Sequence, residues 1–203
     1  MRITGGQFRG RKLLSVKSDK LRPATDRLRE TMFNILSNIM ELEGSCALDL
    51  YAGTGSVGFE AISRGATTVV FVEADPKIAD VLRANASALN VADLCDIRTM
   101  KVEKFLKSFS DIFRSGIGKF NMVYVDPPYA INDTTQRIVE DIIAHKIVNE
   151  DGIICVEHSK GYSPPTGFLL RQKIFGSTIL SFIKPVLRPH EEKKCQSRPL
   201  LEK

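Results

Sequence analysis

Four consecutive residues, Asp126, Pro127, Pro128 and Tyr129, carry groups that could act on a substrate. They follow an apolar, β-branched run at residues 120–125. Because proline donates no backbone hydrogen bond and restricts the residue before it, this pattern predicts a buried strand that ends abruptly. The Asp126 carboxylate and the Tyr129 ring should then lie at the carboxyl end of a strand, where ligands bind in open α/β sheets. Taken alone, the four residues fit an ordinary strand-terminating turn equally well.

A glycine-rich segment supplies a second candidate ligand site. Gly53, Gly55 and Gly58 satisfy the pattern Gly-x-Gly-x-x-Gly between a predicted strand and a predicted helix, where the backbone must turn tightly and let a ligand approach. Glu73 ends the next predicted strand, where a carboxylate can accept hydrogen bonds from ribose hydroxyls. The segment therefore predicts a nucleoside cofactor. A glycine turn that only packs a helix on a strand is the alternative without a ligand.

Asp49, just before the glycine turn, favours one cofactor class. Its carboxylate would repel a pyrophosphate, whereas it could attract an amino-acid ammonium group and accept its hydrogen bonds. S-adenosylmethionine carries a ribose, an ammonium and a sulfonium but no phosphate. Asp49 and Glu73 therefore suit S-adenosylmethionine better than a dinucleotide such as NAD.

Methyl transfer would give residues 126–129 a chemical role. An exocyclic amino group on a base is a poor nucleophile because its lone pair is delocalised into the ring. Acceptors aimed at its two hydrogens favour a pyramidal nitrogen, and the Asp126 carboxylate and the Pro127 carbonyl are suitable acceptors. Tyr129 could stack on a base taken out of its helix. Catalysis would then come mainly from in-line positioning, with no strong general base.

The elements that must position these groups follow an α/β order. Short apolar runs alternate with helical stretches, which indicates βαβ units, and the last two runs are separated only by Gly176 and Ser177, as in a hairpin. The predicted strands lie near 46–50, 68–73, 95–100, 120–126, 152–157, 169–175 and 178–184, and the helices near 26–40, 56–64, 76–89, 102–113 and 134–146. We expect a doubly wound Rossmann-like α/β sheet, mostly parallel with an antiparallel C-terminal hairpin strand, and a small basic N-terminal extension.

The first predicted helix, residues 26–40 with Thr25 as its N-cap, is amphipathic. Its apolar side chains recur at helical spacing: Leu28, Met32, Ile35, Leu36 and Ile39. Arg27 and Arg29 are expected on its polar face.

Basic charge is concentrated at the two ends of this chain of 203 residues and net charge +5. Residues 1–29 hold nine basic and two acidic residues, residues 184–203 hold six and three, and the part between carries −5. A basic arm on a mildly acidic body suggests contact with nucleic acid, and a solubilising arm is the alternative.

Length and composition fit one well-packed domain with short appendages. No apolar stretch approaches the roughly 20 residues of a membrane span, and no signal peptide is recognisable, so we expect a cytoplasmic protein without membrane contact. The four cysteines are widely separated, which indicates neither a metal site nor a disulfide framework. The predicted divisions are a basic arm and helix over 1–44, a methyltransferase domain over 45–184 and a disordered tail over 185–203.

Three segments are specific enough to indicate a family. Residues 2–13 read RITGGQFRGRKL, residues 21–34 read LRPATDRLRETMFN and residues 60–66 read EAISRGA. With the glycine loop and residues 126–129, they resemble the bacterial RsmD family, the class I S-adenosylmethionine-dependent 16S ribosomal RNA (guanine-N2)-methyltransferases. The resemblance covers residues 1–184.

The resemblance implies three sets of site residues. The implied catalytic target site comprises Asp126, Pro127, Pro128 and Tyr129. The implied cofactor site comprises Asp49, Tyr51, Ala52, Gly53, Thr54, Gly55, Glu73 and Val102. The residues implied to meet RNA phosphates are Arg2, Arg9, Arg11, Lys12, Arg22, Arg27 and Arg29. The implied partner is 16S ribosomal RNA or a small ribosomal subunit particle, and the protein is expected to be a monomer.

One position departs from the family pattern. Where such enzymes usually have Asp and a small residue near the adenine, this chain has Lys101 and Val102. Lysine cannot accept a hydrogen bond from the adenine amino group, so adenine recognition should rest on backbone groups and on packing against Val102. His158, at the end of the fifth predicted strand, fits a packed or solvated polar group better than a substrate contact.

Two other functions stay open at this point. An adenine-N6 or cytosine-N4 methyltransferase acting on DNA or other RNA could use the same four residues, although a DNA enzyme would usually need a sizeable domain to read the major groove. A non-enzymatic RNA-binding module would explain the basic arm but not the acidic cofactor loop.

Overall fold

The computed structural model describes residues 1–15, 26–109, 118–127, 132–165 and 168–185, and it leaves undescribed the side chains of residues 132 and 133. The chain divides into two compact units, Met1–Lys107 and Ser108–Lys203. Their boundary falls inside the predicted domain of residues 45–184, and the domain limits proposed above stay a prediction. No helix in the described ranges is long and apolar enough to cross a membrane.

The first unit contains three parallel strands in the spatial order β3-β2-β1. They are β1 (Cys46–Leu50), β2 (Thr68–Glu73) and β3 (Cys95–Thr99). Its helices are α1 (Asp26–Leu36), α2 (Ser56–Ser63), α3 (Pro76–Leu89) and α4 (Val102–Lys107). Because β1 and β2 run in the same direction, with Leu50 beside Val72, their carboxyl ends present Tyr51 and Glu73 at one edge.

Local sequence accounts for the best-defined elements of this unit. Residues 69–72 of β2 are fully buried and wholly apolar, which is typical of a parallel strand covered on both faces. Helix α3 begins where the Asp75 carboxylate accepts the backbone N–H of Lys77 at 2.8 Å, with Pro76 in its first turn. Asn90 caps its C-terminus, with a φ of 58° in the left-handed conformation typical of that position.

In the described residues of the second unit, β4 pairs with β5 in parallel, and β5-β7 and β7-β6 pair in antiparallel, in the spatial order β4-β5-β7-β6. Its elements are β4 (Phe120–Val125), α5 (Asn132–Ala144), β5 (Val148–His158), β6 (Leu169–Phe175) and β7 (Thr178–Ile183). Strands β6 and β7 form a hairpin across Gly176 and Ser177, as predicted. The α/β class with an antiparallel C-terminal hairpin is confirmed.

Helix α1 ends at Leu36 and is therefore shorter than the predicted helix of residues 26–40. The side chains of Ser37 and Asn38 donate to backbone carbonyls four residues earlier, at 2.8 Å and 2.7 Å, and so compete with the helical ladder. The backbone N–H of Ile39 then bonds only three residues back, to Leu36. Ile39, expected on the apolar face, is 39% exposed. The predicted N-cap Thr25 lies outside the described residues.

Strand β5 is longer than the predicted 152–157, since it begins at Val148. Its pairing with β4 shifts register between Phe120 and Met122. A Cβ on Gly152 would lie 2.9 Å from the Phe120 carbonyl oxygen, so only glycine allows this close approach of the two strands. Residues 110–113 of the fourth predicted helix and residues 186–203 of the predicted tail lie outside the described ranges.

Candidate cofactor and RNA sites

The glycine loop leaves β1 in an unusual backbone conformation. Tyr51, Gly53 and Gly55 have φ angles of 58°, 56° and 85°. A side chain at Gly55 would also meet the Phe59 ring, 2.5 Å from the position of its Cβ. Gly58 serves packing instead, because a Cβ there would lie 2.2 Å from the Phe71 ring of β2. A positive φ is strained for a residue with a side chain, such as Tyr51, and such strain is often found at ligand sites.

Asp49 lies beneath the loop and is only 2% exposed. Its Oδ2 accepts the backbone N–H of Gly58 at 2.9 Å. Burial raises the pKa of Asp49 to about 8, the Gly58 hydrogen bond opposes the rise, and the nearby Glu73 charge adds to it. Burial therefore favours the protonated form of the carboxyl group, and an approaching cation would favour the ionised form.

Glu73, at the end of β2, ties the loop in place with its side chain. Its Oε2 accepts the N–H of Gly53 at 2.8 Å, and its Oε1 accepts the N–H of Asp75 at 2.9 Å. A carboxylate has about four acceptor positions, so these two bonds leave capacity for ribose hydroxyls. Glu73 can thus hold the loop and a ligand together.

The structure adds Glu103 to the residues around the loop. The Tyr51 hydroxyl donates to the Glu103 carboxylate, and burial together with that negative charge raises the pKa of Tyr51. Val102, predicted to pack on the adenine, is 2% exposed at the start of α4, while Lys101 is exposed. The sequence signal for Glu103 is its position two residues after Lys101, which departs from the family pattern.

The residues predicted to hold the target lie in the second unit. Asp126 and Pro127 directly follow β4 and are half-buried, whereas Pro128 and Tyr129 lie outside the described residues. The Tyr124 hydroxyl donates to Glu157 Oε2 at 2.6 Å. Glu157 directly follows Val156, the last residue of β5 that pairs with β4. Sequence reasoning did not select Glu157.

His158 is a packed polar group, 8% exposed. Its Nδ1 is 2.7 Å from the Ser159 carbonyl, and its Nε2 is 2.7 Å from Ser181 Oγ. Because a carbonyl can only accept, Nδ1 carries the proton and Nε2 accepts from the Ser181 hydroxyl. The Tyr162 ring packs edge-on against the imidazole, with the two ring centroids 4.7 Å apart. Burial lowers the pKa of His158.

The N-terminal arm, residues 1–15, is part of the first unit and packs against α2. Glu60 of α2 is fully buried and accepts both the backbone N–H and the hydroxyl of Thr4, each at 2.7 Å. Ser63 of α2 donates to the Gly5 carbonyl at 2.6 Å and accepts the Phe8 N–H at 2.9 Å. An isolated antiparallel β-bridge between Arg2 and Lys12 brings the two ends of the arm together.

Most of the described basic residues predicted to meet RNA are exposed. Those exposed are Arg2, Arg9, Arg11, Lys12 and Arg27. Arg22 lies outside the described residues.

The prediction for Arg29 is wrong, because its side chain is fully buried. It pairs with Glu60 at 3.3 Å and with Asp26 at 3.0 Å, so its charge is already neutralised inside the protein. Arg29 shares a helix face with Met32, Phe33 and Leu36, and this spacing could have indicated burial. Its role is to anchor α1 and the arm to Glu60.

Within the described ranges, no group of three or more His, Cys, Asp or Glu residues is arranged to hold a metal ion.

Comparison with known proteins identifies the family. The family model described as Conserved hypothetical protein 95 matches residues 1–184. Ribosomal RNA small subunit methyltransferase D of Haemophilus influenzae is 33% identical over 181 residues, which cover 87% of this chain and 89% of that protein. The solved structure of the Escherichia coli protein yhhF is 28% identical with a TM-score of 0.77, covering 93% of this chain and 99% of that one.

A more distant structure supports the same fold. An RNA methyltransferase from Salinibacter ruber, solved in complex with S-adenosyl-L-homocysteine, has a TM-score of 0.60 at 16% identity, over 89% of this chain and 100% of that one. At this identity the match shows the fold alone, which is the predicted Rossmann-like methyltransferase fold. Together, the family model and the similarity to the Haemophilus protein show that the chain belongs to the RsmD family of ribosomal RNA small subunit methyltransferase D.

Proposed function

We propose that this protein transfers a methyl group from S-adenosylmethionine to the exocyclic N2 of a guanine in 16S ribosomal RNA. Membership of the RsmD family supports ribosomal RNA methylation with this cofactor. The observation that carries the proposal is the glycine loop held by two acidic side chains, with Gly58 bonded to Asp49 and Gly53 bonded to Glu73. The choice of guanine N2 rests on the resemblance of the segments at residues 2–13, 21–34 and 60–66 to the family.

The acceptor groups around the loop match the hydrogen-bond donors of the cofactor. The Glu73 carboxylate can accept ribose hydroxyls, and Asp49 can become an anion beside an ammonium group. The absence of a side chain at Gly53 and Gly55 lets the backbone approach a ligand closely. When bound, S-adenosylmethionine supplies an electrophilic methyl group on a sulfonium. A pyrophosphate beside Asp49 could not stabilise the ionised form of that buried carboxyl group, whereas an ammonium group could, which favours S-adenosylmethionine over a dinucleotide.

Asp126 and Pro127 orient the acceptor nitrogen in this proposal. The carboxylate and the carbonyl each accept one hydrogen of the amino group, which directs its lone pair toward the methyl carbon. As the new N–C bond forms and the S–C bond breaks, the nitrogen loses one proton, which the Asp126 carboxylate can pass to water. No strong base is needed, because the nitrogen becomes acidic once it is methylated.

The exposed cations of the arm supply the RNA contact. Arg9, Arg11 and Lys12 are close in sequence and all exposed, and Arg27 is exposed at the start of α1. Arginine and lysine at such positions contact phosphates and release bound counterions. RNA affinity should therefore depend on salt concentration.

Mapping the methylated nucleosides tests the proposal. The protein is incubated with labelled S-adenosylmethionine and unmodified small-subunit RNA, both free and assembled into particles, and the product nucleosides are analysed by mass spectrometry. We expect N2-methylguanosine at one position. Methyl groups on adenine or cytosine would overturn the guanine assignment, and no methyl transfer to either substrate would overturn the enzymatic proposal. Comparing the two substrates also shows whether naked RNA or the particle is modified.

A further inference from the structure

A single buried amide joins the N-terminal arm to the glycine loop. Asn85 of α3 is 1% exposed, and its side chain makes three hydrogen bonds. Its Oδ1 accepts the Leu14 N–H at 2.7 Å, and its Nδ2 donates to the Leu14 carbonyl at 3.1 Å. The same Nδ2 donates to the Thr54 carbonyl at 3.0 Å. Leu14 belongs to the arm, and Thr54 lies between Gly53 and Gly55.

The three bonds require a carboxamide in one orientation. The side chain must accept one hydrogen bond through an oxygen and donate two through a nitrogen, and the carboxamide of asparagine has both groups. Aspartate has the same shape but no donor, and it would face two carbonyl oxygens. Reversing the amide would point its NH₂ group at the Leu14 N–H and its oxygen at the two carbonyls, so the contacts determine the assignment.

The position of Asn85 separates it from the other contacts of the arm. Thr4, Gly5 and Phe8 bond to Glu60 and Ser63, which belong to α2. Asn85 instead contacts the loop that carries the proposed cofactor groups. Its arm partner, Leu14, lies two residues after the exposed Lys12. When Leu14 is held in place, it fixes the Asn85 side chain, and Asn85 in turn fixes the Thr54 carbonyl.

We infer that Asn85 is a positioning residue that couples RNA binding on the arm to cofactor binding at the loop. This inference rests on the proposed function. A ligand that holds the arm in place lowers the ordering cost of the loop, and a ligand that holds the loop lowers the ordering cost of the arm. Such coupling is reciprocal, so each ligand raises the affinity for the other by the same factor.

The test is a set of four dissociation constants. The affinity for S-adenosylhomocysteine, which supports no turnover, is measured by calorimetry with and without saturating unmodified small-subunit RNA, and RNA affinity is measured with and without S-adenosylhomocysteine. In the wild type we expect a coupling factor of about fivefold or more, equal in both directions. Asn85→Asp and Asn85→Leu should reduce that factor to near one.

Ser63→Ala is the matched control, because it removes arm contacts on α2 without touching the loop. It should weaken RNA binding but keep the coupling factor. A factor of one in the wild type would overturn the inference, as would normal coupling in both Asn85 variants. If the wild type binds neither ligand, the proposed function itself fails, which is a distinguishable result.

A second pair of variants covers the case in which the Asn85 variants do not fold. Leu14 is 56% exposed, so replacing its side chain removes no packing from the core. Leu14→Pro removes the N–H that bonds to Asn85, whereas Leu14→Ala keeps it. We expect reduced coupling in the proline variant only. Equal coupling in the two variants would contradict the role of Asn85.

Discussion

Asp49 and Glu73 are both carboxylic acids next to the glycine loop, yet their exposure gives them different roles. Glu73 is partly exposed and accepts two backbone N–H groups at the end of β2. Asp49 is buried, and burial raises its pKa to about 8, which favours the protonated form. A cation that enters beside Asp49 would favour the ionised form. Cofactor binding should therefore displace the Asp49 proton.

We expect binding of S-adenosylmethionine at pH 7 to release a proton from Asp49. The measurement is the calorimetric binding enthalpy in buffers of different ionisation enthalpy, which varies with buffer when a proton is exchanged. Asp49→Asn keeps an acceptor for the Gly58 N–H but cannot ionise, so its enthalpy should not depend on the buffer. A buffer-independent enthalpy in the wild type would contradict the proposed contact with the ammonium group.

Asp126 should affect methyl transfer and leave cofactor binding nearly unchanged. Since its carboxylate is proposed to orient the target nitrogen, Asp126→Ala should lower the single-turnover rate by about 100-fold or more, the usual effect of losing one positioned polar contact. The affinity for S-adenosylmethionine should change little. Glu150→Ala, an exposed carboxylate of β5, serves as the control. A near-normal rate in Asp126→Ala would remove Asp126 from the mechanism.

At the scale of elements, the N-terminal arm is a packed part of the first unit. Thr4 and Ser63 fix it to α2, and Asn85 fixes it to α3. The exposed cations of the arm are therefore presented from an ordered backbone. Ordered cations lose less conformational entropy when RNA binds, which favours affinity.

Replacing Arg9, Arg11 and Lys12 together with alanine should weaken RNA binding and flatten its dependence on salt. Loss of three phosphate contacts should reduce the slope of log affinity against log salt by about 2 to 3. Filter binding across a salt series measures this slope. An unchanged slope would make the arm a structural element without RNA contact.

Arg29 should behave as a structural residue. Arg29→Ala leaves the buried Glu60 without one of its cationic partners, so we expect a loss of about 3–5 kcal/mol in the free energy of unfolding. Urea denaturation measures the loss. Arg27→Ala, at an exposed position of the same helix, should change stability by less than about 0.5 kcal/mol. Unchanged stability with reduced RNA affinity in Arg29→Ala would restore Arg29 to the RNA-binding set.

At the scale of the whole molecule, ligand specificity should appear as thermal stabilisation. S-adenosylmethionine at 100 times its dissociation constant should add about 2.7 kcal/mol to the stability of the folded state. For a chain of this size that corresponds to a rise in Tm of roughly 5–10 °C. NAD should cause no shift, and Asp49→Ala should reduce the shift with S-adenosylmethionine. A rise with NAD alone would reverse the assignment of the cofactor.

Local sequence patterns predicted the helices and strands whose first and last residues are set by residues nearby along the chain. Strand β1, strand β2 and helix α3 have the predicted bounds, because apolar runs, the Asp75 cap and Asn90 act within a few residues. The hairpin at Gly176 was predictable for the same reason. The family resemblance was also readable from the sequence, since its motifs are contiguous segments.

Only the tertiary structure decided which polar residues are buried and what they hold. Arg29 looked like a surface cation, but Glu60, 31 residues away, accepts its hydrogen bond inside the protein. Asn85 meets Leu14 across 71 residues and Thr54 across 31. The protonation of Asp49 depends on the packing that excludes water around it. Helical periodicity and residue spacing describe neighbours along the chain, whereas desolvation and hydrogen-bond pairing depend on groups that folding brings together.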